Sequence, residues 1–194
     1  MSSSDTTESP RGHPSPMMFV SIGLGTVVAV ALIVVVSILT GGKVSTLGGQ
    51  PTNALVGKSV GSFTLGGLNG GTVTAPWSTG HPGVLIFFAS YCGPCKTEMP
   101  IVANYLRTHN QGVVHVIGVD VTDERSKGQR FVATSGVRFP VAFDPHAAVT
   151  SGNFQINAIP DTVFVNARGI VTQVYVGAIP KDQLIKGIEA LRTT

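Results

Sequence analysis

The sequence predicts an α/β domain: a mixed central sheet flanked by helices, with a small β extension at its N-terminal side. Three observations predict it. Val84–Ala89 and Val113–Asp120 are apolar strand-like runs, each followed by a stretch with helical punctuation, the alternation that yields neighbouring parallel strands. Near the C-terminus, Thr162–Asn166 and Ile170–Val176 alternate around the turn Ala167-Arg168-Gly169, which predicts an antiparallel pair. A closing helix begins at Pro180, with Leu184, Ile185, Ile188 and Leu191 on one face.

In chain order, residues 1–16 hold Ser2-Ser3-Ser4, Asp5, Glu8 and three prolines with no apolar periodicity, the composition of a disordered tail. Met17–Leu39 follows without a charge or a histidine. At 1.5 Å per residue it spans about 34 Å, enough for one tilted bilayer crossing. A cleaved signal peptide has a shorter apolar region ending at small residues, whereas here Ala29-Val30-Ala31 lies mid-span. Arg11 before the span and Lys43 after it leave the positive-inside rule nearly silent on orientation. Residues 40–53, rich in Gly, Thr and Ser, read as a flexible tether.

The domain proper is expected over residues 54–194. Ser62–Leu65 and Gly71–Thr74 are short strand candidates around a hairpin turn at Gly66-Gly67 and Asn69-Gly70. Val84–Ala89, bounded by Pro82-Gly83 and Ser90, reads as a strand covered on both faces. A helix runs from Cys92 to about His109, interrupted by Pro100, which lacks an N–H. After Val113–Asp120, Glu124–Ser135 is a second helix. Phe139-Pro140-Val141 and Asp144-Pro145 mark a bend before a short helix near Ala147.

The only two cysteines lie in Cys92-Gly93-Pro94-Cys95. Two cysteines leave a redox pair, a structural bridge or half a metal site. Residues three apart share a helix face about 5–6 Å apart, within the Cα separation a disulfide needs. The helix start stabilises an anion through free N–H groups and the dipole, which lowers a thiol's pKa. Cys92, nearer solvent, is the expected attacker and Cys95 the resolving thiol. Zinc is the rival, because Cys92-x2-Cys95-x13-His109-x5-His115 falls within zinc-finger spacing. One helix from Cys95 to His109 would separate its ends by about 20 Å, which argues against a shared tetrahedral ion. No metal and no cofactor are expected.

FFASYCGPCKTEMP resembles the active-site segment of the membrane-anchored thioredoxin-like proteins of the TlpA/ResA type. The likeness extends through GVVHVIGVDV, VRFPVAFDP and INAIPDTVFVNARGIV to the C-terminal helix, over roughly residues 55–194. It implies a thioredoxin-like fold and a thiol–disulfide oxidoreductase whose redox-active disulfide joins Cys92 and Cys95. It also implies a cis peptide at Ile159-Pro160, facing the cysteines and leaving the Ile159 backbone free to pair with an extended substrate. In the pattern C-x-x-C-x-x-E-x-P the glutamate is Glu98, three residues beyond Cys95 and on its helix face, placed to exchange the Cys95 proton. Thioredoxin itself carries a buried aspartate six residues before its first cysteine; here that position is Ile86, which leaves Glu98 or Asp161, beside the proline, as the acidic candidates. Tyr91 stands where a tryptophan usually precedes the first cysteine. The expected substrate-contact set is Tyr91, Ile159, Pro160 and Asp161. The resemblance further implies an extracytoplasmic redox domain, client proteins carrying disulfides or dithiols, apocytochrome c among them, and a membrane thiol electron donor. It favours reduction of clients over disulfide formation.

Composition excludes other classes. With 12% charged and 43% hydrophobic residues the 194-residue chain is neither a disordered nor a highly solvated polymer. A net charge of +3, carried by scattered Lys and Arg, gives no footprint for nucleic acid. A thiol peroxidase stays open as an alternative, as does a disulfide-forming oxidase, although a peroxidatic cysteine sits in a Thr-x-x-Cys setting and Ala89 stands three residues before Cys92. Lys96 reads as a surface residue and Trp77 as packing; His81, His115 and His146 show no grouping. Asp120, Asp123 and Glu124 read as a solvated loop and helix cap rather than a metal site.

Overall fold

Val84–Phe88 is apolar at every position because the strand it forms is buried on both faces; each of these side chains is fully shielded from solvent. In the computed structural model, which describes residues 53–109 and 112–193, that strand (β3, Gly83–Phe88) is the centre of a five-stranded sheet. Its neighbours are β4 (His115–Val121) in parallel and β6 (Asp161–Val165) antiparallel; β5 (Val141–Asp144) and β7 (Val171–Val176) form the edges. The order β5-β4-β3-β6-β7 is therefore mixed, as expected. The N-terminal hairpin pairs β1 (Thr64–Gly66) with β2 (Thr72–Thr74). The expected tail, membrane span and all but the last residue of the tether lie outside the described residues. Among the described residues no helix is long and apolar enough to cross a membrane.

Strand periodicity sorts the core into two layers. Val84, Ile86 and Phe88 face one side of the sheet, where α1 (Gly93–Thr108), α2 (Arg125–Thr134) and α4 (Lys181–Arg192) supply Met99, Val102, Phe131, Leu184 and Ile188. Leu85 and Phe87 face the other side and meet Phe63, Trp77, Phe154 and Ile156 from the N-terminal extension and the segment after α3 (Ala148–Gly152). Trp77 is packing, edge-on to Phe63 and Phe154. Gly187 lets α4 lie directly on β6, since a Cβ there would run into the Phe164 ring.

Two readings of the sequence change. Val141–Asp144 is strand β5, hydrogen-bonded along β4 from Gly118 to Val121, where a bend was expected. The Asp144 carboxylate then accepts from the N–H groups of Ala148, Val149 and Thr150 and from the Thr150 hydroxyl, so it starts α3 from outside the helix. Pro100 sits inside α1, which runs on through it to Thr108.

Candidate active site

The C-terminal end of β3 delivers the chain into a turn, closed by the Cys92 N–H on the Ala89 carbonyl, and then into α1. Cys92 is the N-cap, so its sulfur accepts the Cys95 N–H at 3.2 Å, at the positive end of the helix. Cys92 and Cys95 are joined as a disulfide with Cα atoms 5.3 Å apart. Cys92 keeps 7% of its surface exposed and Cys95 none, the asymmetry expected of an attacking and a resolving thiol.

Opposite the cysteines, the Ile159–Pro160 peptide is cis, as expected. The Ile159 carbonyl oxygen lies 3.7 Å from the Cys92 sulfur. The Ile159 N–H has no acceptor among the described residues. Tyr91 is 61% exposed, with its hydroxyl bonded to Thr122 at 2.8 Å. Beside it opens a cleft of about 260 Å³ whose walls include Tyr91, Thr122, Ala147, Ile156 and Ile159. A roomier cavity of about 560 Å³ lies at the far end of α1, lined by Leu106, Val114 and Phe139 and by none of the cysteines, so cavity size does not locate this site.

Glu98 is buried behind the disulfide layer at 3% exposure. One carboxyl oxygen accepts the Ile179 N–H at 3.2 Å, and the other has no partner among the described residues. Burial pushes the group up to about 7; the Ile179 bond opposes this and the Asp161 charge reinforces it. Asp161 is also buried and accepts the Gly177 N–H at 3.1 Å. Its pKa is raised by burial against that bond. The segment Gly177–Pro180 thus bridges Glu98 on α1 and Asp161 on β6. Ile179 and Gly177 were missed in the sequence, where the one signal was the glycine in Val-Gly-Ala-Ile-Pro; Gly177 takes φ of +86°.

The residues expected in the site therefore converge: Tyr91, Cys92, Cys95 and Glu98 from the start of α1, and Ile159, Pro160 and Asp161 from the entry to β6. Lys96 is exposed and Ile86 fully buried. His81 and His115 do form a group, a stacked pair 4.7 Å apart at the opposite ends of β3 and β4 from the cysteines. The acidic cluster requires correction. Asp120 is not solvated but fully buried. Asp123 is half-buried and accepts bonds from the Ser90 N–H and hydroxyl. Only Glu124 is exposed, paired with Lys127 at 2.9 Å, and its side chain caps no backbone group.

A disulfide across the first turn of a helix, faced by a cis-proline loop on a mixed sheet, defines a thioredoxin-fold thiol–disulfide oxidoreductase. The chain belongs to the AhpC/TSA family, whose model matches residues 56–174. Among its relatives is the thiol-disulfide oxidoreductase ResA of Halalkalibacterium halodurans, 26% identical over 139 residues, covering 72% of this chain and 78% of that protein. ResA of Bacillus subtilis is 27% identical over 128 residues, covering 66% of this chain and 71% of that protein. Among solved structures, MTB dsbF, captured in mixed oxidized and reduced forms, matches with a TM-score of 0.60 and 28% identity over 73% of this chain and 99% of that one. A Chlorobium tepidum structure described as a DsbE thiol:disulfide interchange protein matches with a TM-score of 0.61 and 27% identity over 70% of this chain and 96% of that one. The TlpA/ResA resemblance read from the sequence thus holds.

Proposed function

We propose that this protein is a membrane-tethered reductant of disulfides in extracytoplasmic proteins, apocytochrome c among them. The observation that carries the exchange chemistry is the Cys92 sulfur at the helix start, 3.7 Å from the Ile159 carbonyl and beside an Ile159 N–H with no acceptor among the described residues. A client strand laid along Ile159 would gain backbone hydrogen bonds while its own disulfide meets Cys92. Tyr91 and the cleft next to it would take a client side chain.

In the reduced protein the Cys92 thiolate attacks a client sulfur, and the client's S–S bond breaks as the Cys92–client bond forms. The released client thiolate takes a proton. Glu98 then accepts the Cys95 proton, and the Cys95 sulfur attacks Cys92, expelling the second client thiol. Two electrons have passed to the client, and the Cys92–Cys95 disulfide remains. With its pKa raised to about 7, Glu98 exists in both forms near neutrality and can return a proton when a membrane thiol donor re-reduces the pair. Asp161, sharing the Gly177–Pro180 strap, holds the proline loop against the cysteines.

The membrane span is residues 17–39, joined to the domain by the tether at residues 40–53, and the extracytoplasmic placement and reductive direction rest on the family resemblance. In the native membrane, Cys95→Ser should accumulate mixed disulfides with clients, and Cys92→Ser should accumulate none. A Cys92–Cys95 potential near thioredoxin's value of about −270 mV supports reduction, whereas one near DsbA's value of about −120 mV would make the protein a disulfide-forming oxidase.

A further inference from the structure

Asp120 sits at the end of β4, paired in register with Phe88 of β3 and Phe143 of β5. Its carboxyl group is fully buried, and neither oxygen receives a hydrogen bond from any described residue. A buried carboxylate with no donor is costly enough to require an explanation. The chain has built space for it: Gly128 on α2 lacks the Cβ that would collide with Asp120 Oδ2, although glycine is a poorer helix former than alanine.

The group that meets Asp120 is another carboxyl, that of Asp123. Asp123 is already an acceptor three times over. Its Oδ1 takes the Ser90 hydroxyl at 2.9 Å and the Glu124 N–H at 2.7 Å, and its Oδ2 takes the Ser90 N–H. Two acceptors that face each other, one of them fully buried, repel unless one carries a proton, which turns the contact into a hydrogen bond. Of the two carboxyls, Asp120 is the one that no donor among the described residues reaches.

The other groups around Asp120 do not replace that proton. Arg125 on α2 favours the anion, but its guanidinium is committed to the Gly67 and Leu68 carbonyls at 2.8 and 2.7 Å and lies over the Phe143 ring. Asp144 on β5 is taken up by the start of α3. Glu124 faces solvent with Lys127. Burial, with Asp123 next, pushes Asp120 up to about 8.

We propose that Asp120 is a positioning residue for the redox loop: protonated, it donates a hydrogen bond to Asp123, and Asp123 in turn clamps Ser90, two residues before Cys92. The proposal rests on the thiol-exchange reading for its consequence, although not for its geometry. Loss of the Asp120 proton sets two anions against each other in the interior, and the contact relaxes by releasing Ser90. The turn that presents Cys92 loosens, and exchange slows in alkaline solution beyond what the thiols themselves dictate.

Asparagine is a permanent mimic of the protonated acid, so Asp120→Asn should hold the clamp closed at every pH. The test follows the full chain from about pH 6 to pH 10, reading the rate of Cys92–Cys95 reduction by dithiothreitol and the amide shift of Ser90 by NMR. Taking the ratio of wild-type to Asp120→Asn rates cancels the ionisation of the reagent. The expected ratio is near unity at the acid end and falls about tenfold at the alkaline end. The Ser90 amide of the wild type should titrate with the same midpoint, and that of Asp120→Asn should not. As a second variant, Asp123→Asn removes the like charge and offers Asp120 a donor, so its midpoint should move to lower pH. A ratio flat across the range, or a Ser90 amide that titrates alike in wild type and Asp120→Asn, overturns the clamp. Were dithiothreitol to leave the disulfide untouched in every variant, the exchange reading would fall, while the Ser90 shift would still decide the proton.

Discussion

Glu98 shows how one residue combines a legible position with a hidden environment. Its spacing from Cys95 places it on the right helix face, which the sequence states openly. Its burial does not follow from the helix. A residue 81 positions further on takes part in it: the Ile179 N–H binds one carboxyl oxygen, and the other is buried without a partner among the described residues. Burial raises the pKa, so Glu98 is neutral below about 7 and a carboxylate above it. Only the carboxylate can take the Cys95 proton. The step in which Cys95 releases a bound client should therefore accelerate as pH rises through neutrality. Glu98→Gln keeps an oxygen for Ile179 and loses the proton acceptor. Release from a preformed Cys92–client disulfide should slow about a hundredfold at neutral pH and lose its rise in that window. A stopped-flow pH series on the mixed disulfide checks this, and an unaltered profile in Glu98→Gln would place the proton elsewhere. Asp120 is the opposite case. An acid at the end of an apolar run reads as the start of a solvated loop, and nothing local reveals that Gly128 has made room for it in the interior.

Elements were legible where one periodicity governed them over enough residues. The unbroken run of β3 announced burial on both faces, and the stripe Leu184, Ile188, Leu191 announced the docked face of α4. β5 carried no such signal, because four residues between Pro140 and Pro145 cannot establish a period. It is a strand because Gly118–Val121 offers it hydrogen-bond partners, a tertiary fact. The same holds for α3, whose start is supplied by Asp144 from the strand before it. α4 also has a consequence beyond its own packing, since it anchors the strap that reaches Glu98. Gly187→Ala would push a methyl group into the Phe164 ring and lift α4 from β6. The expected cost is about 1–3 kcal/mol in urea unfolding, together with a drop of the Glu98 pKa toward the ordinary carboxylate range as the strap loosens and water enters. A variant as stable as the wild type would mean that Phe164 turns aside without strain.

At the scale of the whole domain, the two sheet faces are sealed by apolar layers, and the buried acids gather toward the end of the sheet that carries the cysteines. Glu98 and Asp120 both titrate above their ordinary values, at about 7 and about 8, and burial is the leading cause for each. An unfolded chain releases both protons near pH 4, whereas the native protein keeps them until neutrality or beyond. Between those limits the folded state binds more protons than the unfolded one, so stability falls as pH rises. The contribution is fully present below about pH 4 and is lost progressively as pH passes through about 7 and then about 8. Charge repulsion predicts the reverse trend, because the net charge of +3 shrinks as pH rises over the same interval. Calorimetry on the oxidised protein should therefore show the melting temperature falling between about pH 5 and pH 9. Replacing both acids by their amides, Glu98→Gln with Asp120→Asn, removes the two protons from the balance and should flatten that slope without restoring the acid-side maximum. A wild-type melting temperature that holds or climbs across the interval would show that the interior carries these groups as anions.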